Sequence, residues 1–113
     1  MKINSYSFGK IIIDDMIYNS DIIIFPDHIQ QNWRRKKGHL LQVEDLEAIL
    51  KIDSNTIIVG TGAYGLMKIH QEVLEEFKNR NINFVANKTG KAVEMYNKMY
   101  SHNNVSACLH LTC

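Results

Sequence analysis

Three groups of residues in this chain are of types that could do chemistry. The first is Gly60-Thr61-Gly62-Ala63-Tyr64-Gly65, which follows the β-branched run Thr56 to Val59 and spells G-x-G-x-x-G. In a dinucleotide site the helix begins within those glycines, so that its amides meet a pyrophosphate, and an acidic residue about 20 positions on takes the ribose. Here Leu66-Met-Lys-Ile69 stands before the helical pattern that opens near His70, and no Asp or Glu falls between Glu76 and Glu94. A dinucleotide site is therefore disfavoured, and no cofactor is predicted. What survives is a weaker expectation: glycines at the C-terminal end of a strand can face a small anion, with Arg35 or Lys68 as counter-charge. Tight turns needing positive φ at Gly60, Gly62 or Gly65 account for the same residues at least as well.

The second group is Asn32-Trp33-Arg34-Arg35-Lys36-Lys37-Gly38-His39, four cations behind the single tryptophan. An aromatic ring beside cations can stack on a base and hold phosphate. One short basic run on a neutral chain reads first as a solvated loop, so nucleic acid ranks low among the expected partners. Trp33 is expected either to fill the core or to mark an interface, and His39 to serve as an acid or base or simply as a hydrogen-bonded structural residue. The third group is Cys108-Leu109-His110-Leu111-Thr112-Cys113. Strand alternation puts Cys108 and His110 on one face and Cys113 opposite, so no metal site is predicted and Cys108 is assigned to the core. Cys113 would be reactive only beside positive charge. No paired carboxylates, serine triad or phosphate-loop lysine stands out, which leaves catalytic residues unassigned and the question of an enzyme open.

The elements that must position these groups follow from periodicity. Tyr6 to Ile13 and Met16 to Tyr18 flank Asp14-Asp15 as an antiparallel pair with a tight turn, and Asp21 to Phe25 reads as a further apolar strand closed by Pro26, the sole proline. From residue 43 the period changes: Val43, Leu46, Ile49 and Leu50 recur at helical spacing behind Glu44, Asp45 and Glu47. Strand 56–59, helix 70–80, strand 83–86, helix 90–100 and strand 105–111 complete an alternating pattern, which implies a parallel or mixed sheet with covered faces. With 113 residues, 45% of them hydrophobic, the chain is expected to be one α/β domain over residues 1–113. Thirteen Lys and Arg against 12 acids leave a net charge of +1, with no global pull toward nucleic acid or membrane. The longest apolar runs fall far short of the ~20 residues of a membrane helix, and the start lacks a signal-like apolar stretch. Two cysteines do not make a disulfide framework, so a cytoplasmic protein is expected.

Ser5-Tyr-Ser-Phe-Gly9, Ile23-Ile-Phe-Pro-Asp27, Asn32-Trp33 with Arg35, Gly38-His39, Gly60 to Met67 and Ala107 to Cys113, in that order along the whole chain, resemble the Mth-like domain family, a family of unknown function. It includes small bacterial and archaeal proteins, the adipogenesis-associated Mth domain protein and a mitochondrial complex I assembly factor. The resemblance implies a mixed central sheet, an added N-terminal antiparallel hairpin layer and about three helices. It places motif positions on Trp33, Arg35, Gly38, His39, Gly60, Gly62, Tyr64 and Gly65 without assigning them roles in catalysis. Two positions depart from the pattern. Arg34 stands where relatives carry a second aromatic, which weakens an aromatic clamp, and His70 stands where a helix-starting proline is common, which should loosen a cap.

The function expected from this resemblance is protein interaction or assembly, with the 33–39 and 60–65 loops forming one exposed edge. On that reading Trp33 and Arg35 can be changed without loss of melting temperature. The rival is a small-molecule or anion-binding enzyme that uses the glycine-rich loop 60–65, with Gly60, Thr61, Gly62, Tyr64 and Gly65, as an amide cradle, Arg35 or Lys68 as counter-charge and His39 as acid or base. Self-association is left open.

Overall fold

The computed structural model describes residues 1–101 and 104–113. Its centre is a five-stranded mixed sheet in the order β5-β4-β10-β7-β9, formed by β4 (Ile22–Ile24), β5 (Ile29–Gln30), β7 (Thr56–Thr61), β9 (Asn83–Asn87) and β10 (Val105–His110). Strands β7, β9 and β10 run parallel, while β4 is antiparallel to both β10 and β5. The parallel strands are joined by α2 (Gln71–Asn79) and α3 (Thr89–Met99), as crossover connections require.

Period-two alternation divides the interior between two faces. Ile22, Ile24, Ile58, Val105, Ala107 and Leu109 point to one side, where they meet Ala92, Val93 and Tyr96 of α3. On that side a second sheet, β1 (Ile3–Ser7), β2 (Lys10–Ile13) and β3 (Met16–Tyr18), contributes Ile3, Ile11 and Ile13. Asn97 fastens this layer: its Oδ1 accepts from the Ile3 amide at 2.9 Å and its Nδ2 donates to the Ile3 carbonyl at 2.8 Å. Ile23, Ile57, Val59 and Cys108 point the other way, against Trp33, Leu46, Ile49, Val73 and Phe77. At about 1.5–3 kcal/mol for each large aliphatic side chain removed from water, the isoleucine-rich strands are the main source of cohesion. The hairpin layer, mixed sheet and flanking helices expected from the resemblance are all present.

Several local expectations need correction. Tyr6 to Ile13 is not one strand: a turn at Phe8–Gly9 splits it into β1 and β2, with Gly9 at φ 75°. Asp14 and Asp15 do form the tight β2–β3 turn, both at positive φ, as the twist of a two-residue hairpin demands. The segment from Val43 begins as a 3₁₀ turn (Val43–Leu46) and adds one α turn, α1 (Glu47–Leu50). Asp45 explains this start, since its Oδ2 accepts from the Gln42 amide and its Oδ1 from the Lys36 amide. Two short strands, β6 (Leu40–Leu41) and β8 (Lys68–Ile69), pair in parallel and tie the 33–41 connection to the segment after the glycines. His70 does not loosen the cap of α2; its ring Nδ1 accepts from the Glu72 amide at 3.1 Å.

Candidate functional site

Gly60 and Thr61 belong to strand β7 rather than to a loop. Gly60 pairs with Leu109 on one side and Asn87 on the other. A Cβ there would meet Thr89 Oγ1 at 2.7 Å, so glycine lets α3 approach the sheet. The turn proper starts at Gly62, φ 108°, where a Cβ would lie 2.5 Å from the Cys113 carbonyl oxygen. Its amides are engaged internally. Gly62 donates to Thr89 Oγ1, Ala63 to the Thr112 carbonyl, Gly65 to Gly62, Leu66 to Cys113 and Met67 to Thr61. Thr61 Oγ1 donates to the Asn87 carbonyl at 3.1 Å. A turn with these five amides engaged presents few donors to an anion, and it grips the 111–113 segment instead.

At the same C-terminal edge of the parallel strands lies a polar cluster built around Asp21, just before β4. Its Oδ1 accepts from the Leu111 amide at 2.7 Å, and its Oδ2 from His110 Nδ1 at 2.8 Å and Arg35 Nη2 at 3.0 Å. A carboxylate only accepts, so the His110 proton sits on Nδ1. Arg35 Nη2, 3.1 Å from that nitrogen, is a second donor converging on the same oxygen. Burial pushes the Asp21 carboxyl up, but the hydrogen bonds from His110, the Leu111 amide and Arg35 outweigh it and hold the group below its ordinary value. Tyr6 completes the wall by donating its hydroxyl to the Leu111 carbonyl at 2.8 Å. Its acidity is weakened first by burial, then by Asp21 and Tyr64.

The sequence-predicted residues divide on where they lie. Trp33 is 5% exposed, its Nε1 donates to the Asp45 carbonyl at 3.1 Å, and the Arg35 guanidinium stacks 4.7 Å from its ring centre. The Arg35 side chain is itself buried, and its Nε donates to the Gly38 carbonyl at 3.0 Å. Neither residue therefore forms an exposed edge; a ring and a charge this deep hold the connection in place. Arg34, Lys36 and Lys37 stay at the surface, with Lys36 Nζ 3.8 Å from Glu44. His39 is exposed, with its carbonyl bonded to the Lys68 amide and its Nε2 3.5 Å from Cys113 Sγ. The Lys68 side chain is exposed. Tyr64 is 66% exposed and faces Phe8, 56% exposed, across 6.0 Å between ring centres.

Sequence reasoning missed the hub. In the sequence Asp21 stands only as the start of a strand, yet an acid opening the run Ile22–Ile24 is itself a signal, because a carboxylate entering a core must find partners. Cys113 escaped because ideal alternation was carried past His110, where β10 ends. A separate groove of about 680 Å³, lined among others by Asp53, Ser54, Thr56, Arg80 and Asn83, lies at the opposite edge of the strands. It brings none of these motif residues together.

The family profile described as "Protein of unknown function (DUF498/DUF598)" matches residues 3–110. The chain belongs to this family. Among solved structures, a conserved hypothetical protein from Pyrococcus horikoshii OT3 is similar at 28% identity, with a TM-score of 0.88 and 100% coverage of both chains. The protein MT938 is similar at 27% identity and a TM-score of 0.82, covering 99% of this chain and 98% of its own. An Mth938-like domain from Bordetella pertussis shares the fold, with a TM-score of 0.64 at 14% identity over 97% of this chain and 85% of its own. No curated protein matches. The Mth-like resemblance and the fold that the family implies are thus established, while the family assigns no activity to the Asp21 cluster. Among the described residues no helix is long and apolar enough to cross a membrane.

Proposed function

We propose that this chain is a protein-interaction or assembly module whose contact surface is the aromatic pair Phe8 and Tyr64, extended by Leu66. The observation that carries this reading is the exposure of two large rings, 56% and 66%, held side by side on separate turns. Both turns are pinned to one segment: the Gly9 amide donates to the Leu111 carbonyl at 2.9 Å and the Ala63 amide to Thr112 at 2.6 Å. Rings fixed this way lose little entropy on binding and can act as interface anchors. The partner that fits is a protein offering an apolar pocket, in the cytoplasm, where the free thiols Cys108 and Cys113 would persist. The rival reading, anion binding by the glycine amides, is supported less, because those amides already have acceptors.

A photo-crosslinking residue placed at Tyr64 tests this, with Phe8→Ser as the companion variant. The expected result is a discrete adduct from native lysate that Phe8→Ser abolishes at unchanged melting temperature. An adduct pattern identical to that from a probe at exposed Glu75 would overturn it. Sedimentation of the purified chain distinguishes a second copy from a different partner.

A further inference from the structure

We propose that His39, His110 and Cys113 form a binding site for a divalent cation of the zinc class. Among the described residues these are the three whose ligand atoms, one ring nitrogen from each histidine and the Cys113 sulfur, lie within 4.8 Å of one another. His39 Nε2 is 3.5 Å from Cys113 Sγ. Metal–nitrogen bonds of about 2.0–2.1 Å and metal–sulfur bonds of about 2.3 Å, set at a tetrahedral angle, put the two donors about 3.6 Å apart. The pair is therefore already at ligand spacing.

The independent observation is His110. It is 5% exposed, and its Nε2 is buried with no hydrogen-bond partner among the described residues. Because Asp21 fixes the proton on Nδ1 at 2.8 Å, Nε2 of the neutral ring carries a lone pair to which no described residue donates. A carboxylate behind a histidine, with the far nitrogen free, is the support that metal-bound histidines use to fix tautomer and orientation. The ring also has its direction set: a Cβ on Gly62 would meet His110 Cδ2, the carbon bonded to Nε2, at 2.9 Å and the Cys113 carbonyl oxygen at 2.5 Å. Glycine thus leaves room for that edge of the ring and for Cys113 to close together. The rings of His39 and His110 meet edge-on at 5.9 Å.

Imidazole and thiolate together select zinc-like ions over magnesium or calcium, which want oxygen. On binding, the Cys113 thiol proton leaves to solvent as the metal–sulfur bond forms. Arg35 does not repel the ion strongly, because Asp21 lies within 3.0 Å of it and offsets its charge. With His39 exposed and Cys113 half-buried, the ion has a way in, and a fourth position remains for water or a partner's side chain.

Cobalt(II) added to the chelator-treated full chain tests the site. The expected result is one equivalent bound with a thiolate-to-cobalt charge-transfer band and tetrahedral visible bands, displaced by zinc. Cys113→Ser should abolish the charge-transfer band, and His39→Ala should weaken binding at least tenfold. Both positions reach solvent, so melting temperature should show both variants folded. Zinc should also slow alkylation of Cys113 by iodoacetamide. Absence of the charge-transfer band, its survival in Cys113→Ser, or equal affinity in His39→Ala would each overturn the proposal.

Discussion

Asp21 Oδ2 lies 2.8 Å from His110 Nδ1, so two residues 89 positions apart join the entrance of β4 to the exit of β10. The same carboxylate holds Arg35, so removing its charge strands a buried guanidinium. Asp21→Asn should cost about 3–5 kcal/mol, the range seen when one partner of a buried pair is lost. Combined with Arg35→Met, the loss should be smaller than the sum of the two single losses. Urea titrations of the four proteins in that cycle check this; strict additivity would show the pair is uncoupled.

Trp33→Ala should destabilise the chain by about 3–5 kcal/mol, the usual cost of emptying a large aromatic from a core. The sequence-only expectation was an unchanged melting temperature, and the ring's burial reverses it. As Trp33 is the single tryptophan, its fluorescence reports on this site alone. Emission in the native protein should be blue-shifted and resist acrylamide quenching.

Gly62→Ala places a side chain at φ 108° and 2.5 Å from the Cys113 carbonyl. Backbone strain alone should cost about 1–3 kcal/mol, with the collision adding to it. Gly38→Ala is the contrast, since nothing lies within 4 Å of its added carbon, and it should stay within about 0.5 kcal/mol of the parent. Thermal melts of the two variants side by side give the comparison.

Burial, and after it Tyr100 and Asp14, push the Tyr96 hydroxyl up to about 12 from 10.0. A folded-state value above the unfolded one means the contribution is complete below about pH 10 and is lost as pH rises toward 12. Stability should therefore fall across that window, and Tyr96→Phe should flatten the fall. Denaturant midpoints at pH 9, 10 and 11 measure it.

What could be read in advance was whatever local pattern controls. The short apolar runs Ile22–Ile24 and Val105–His110, buried on both faces of the sheet, and the helical spacing in Val73, Phe77, Ala92 and Tyr96 produced the right elements, because a doubly covered strand is continuously apolar and a helix buried on one stripe keeps its period. Family resemblance supplied the hairpin layer that periodicity alone had merged into one long strand at Gly9. The site was legible only in pieces. His39, Arg35 and Gly62 drew notice as motifs, but their partners Asp21 and Cys113 lie far off in sequence, and only the sheet order brings them together. Whether Trp33 faced water was likewise a tertiary matter, decided by the carbonyl of Asp45 and the walls of the core.

The strand at the middle of the main sheet, β10, follows the other four strands of that sheet along the chain. Until residues 105–110 leave the ribosome, β4 and β7 have no neighbour between them, and both apolar faces stay incomplete. Such order gives the nascent polypeptide mostly long-range pairings to make, which slows folding and leaves unpaired edges exposed meanwhile. The pace at which residues 105–110 follow β7 and β9 out of the ribosome, and the chaperones that meet the emerging chain, should govern how much of this protein a cell recovers folded.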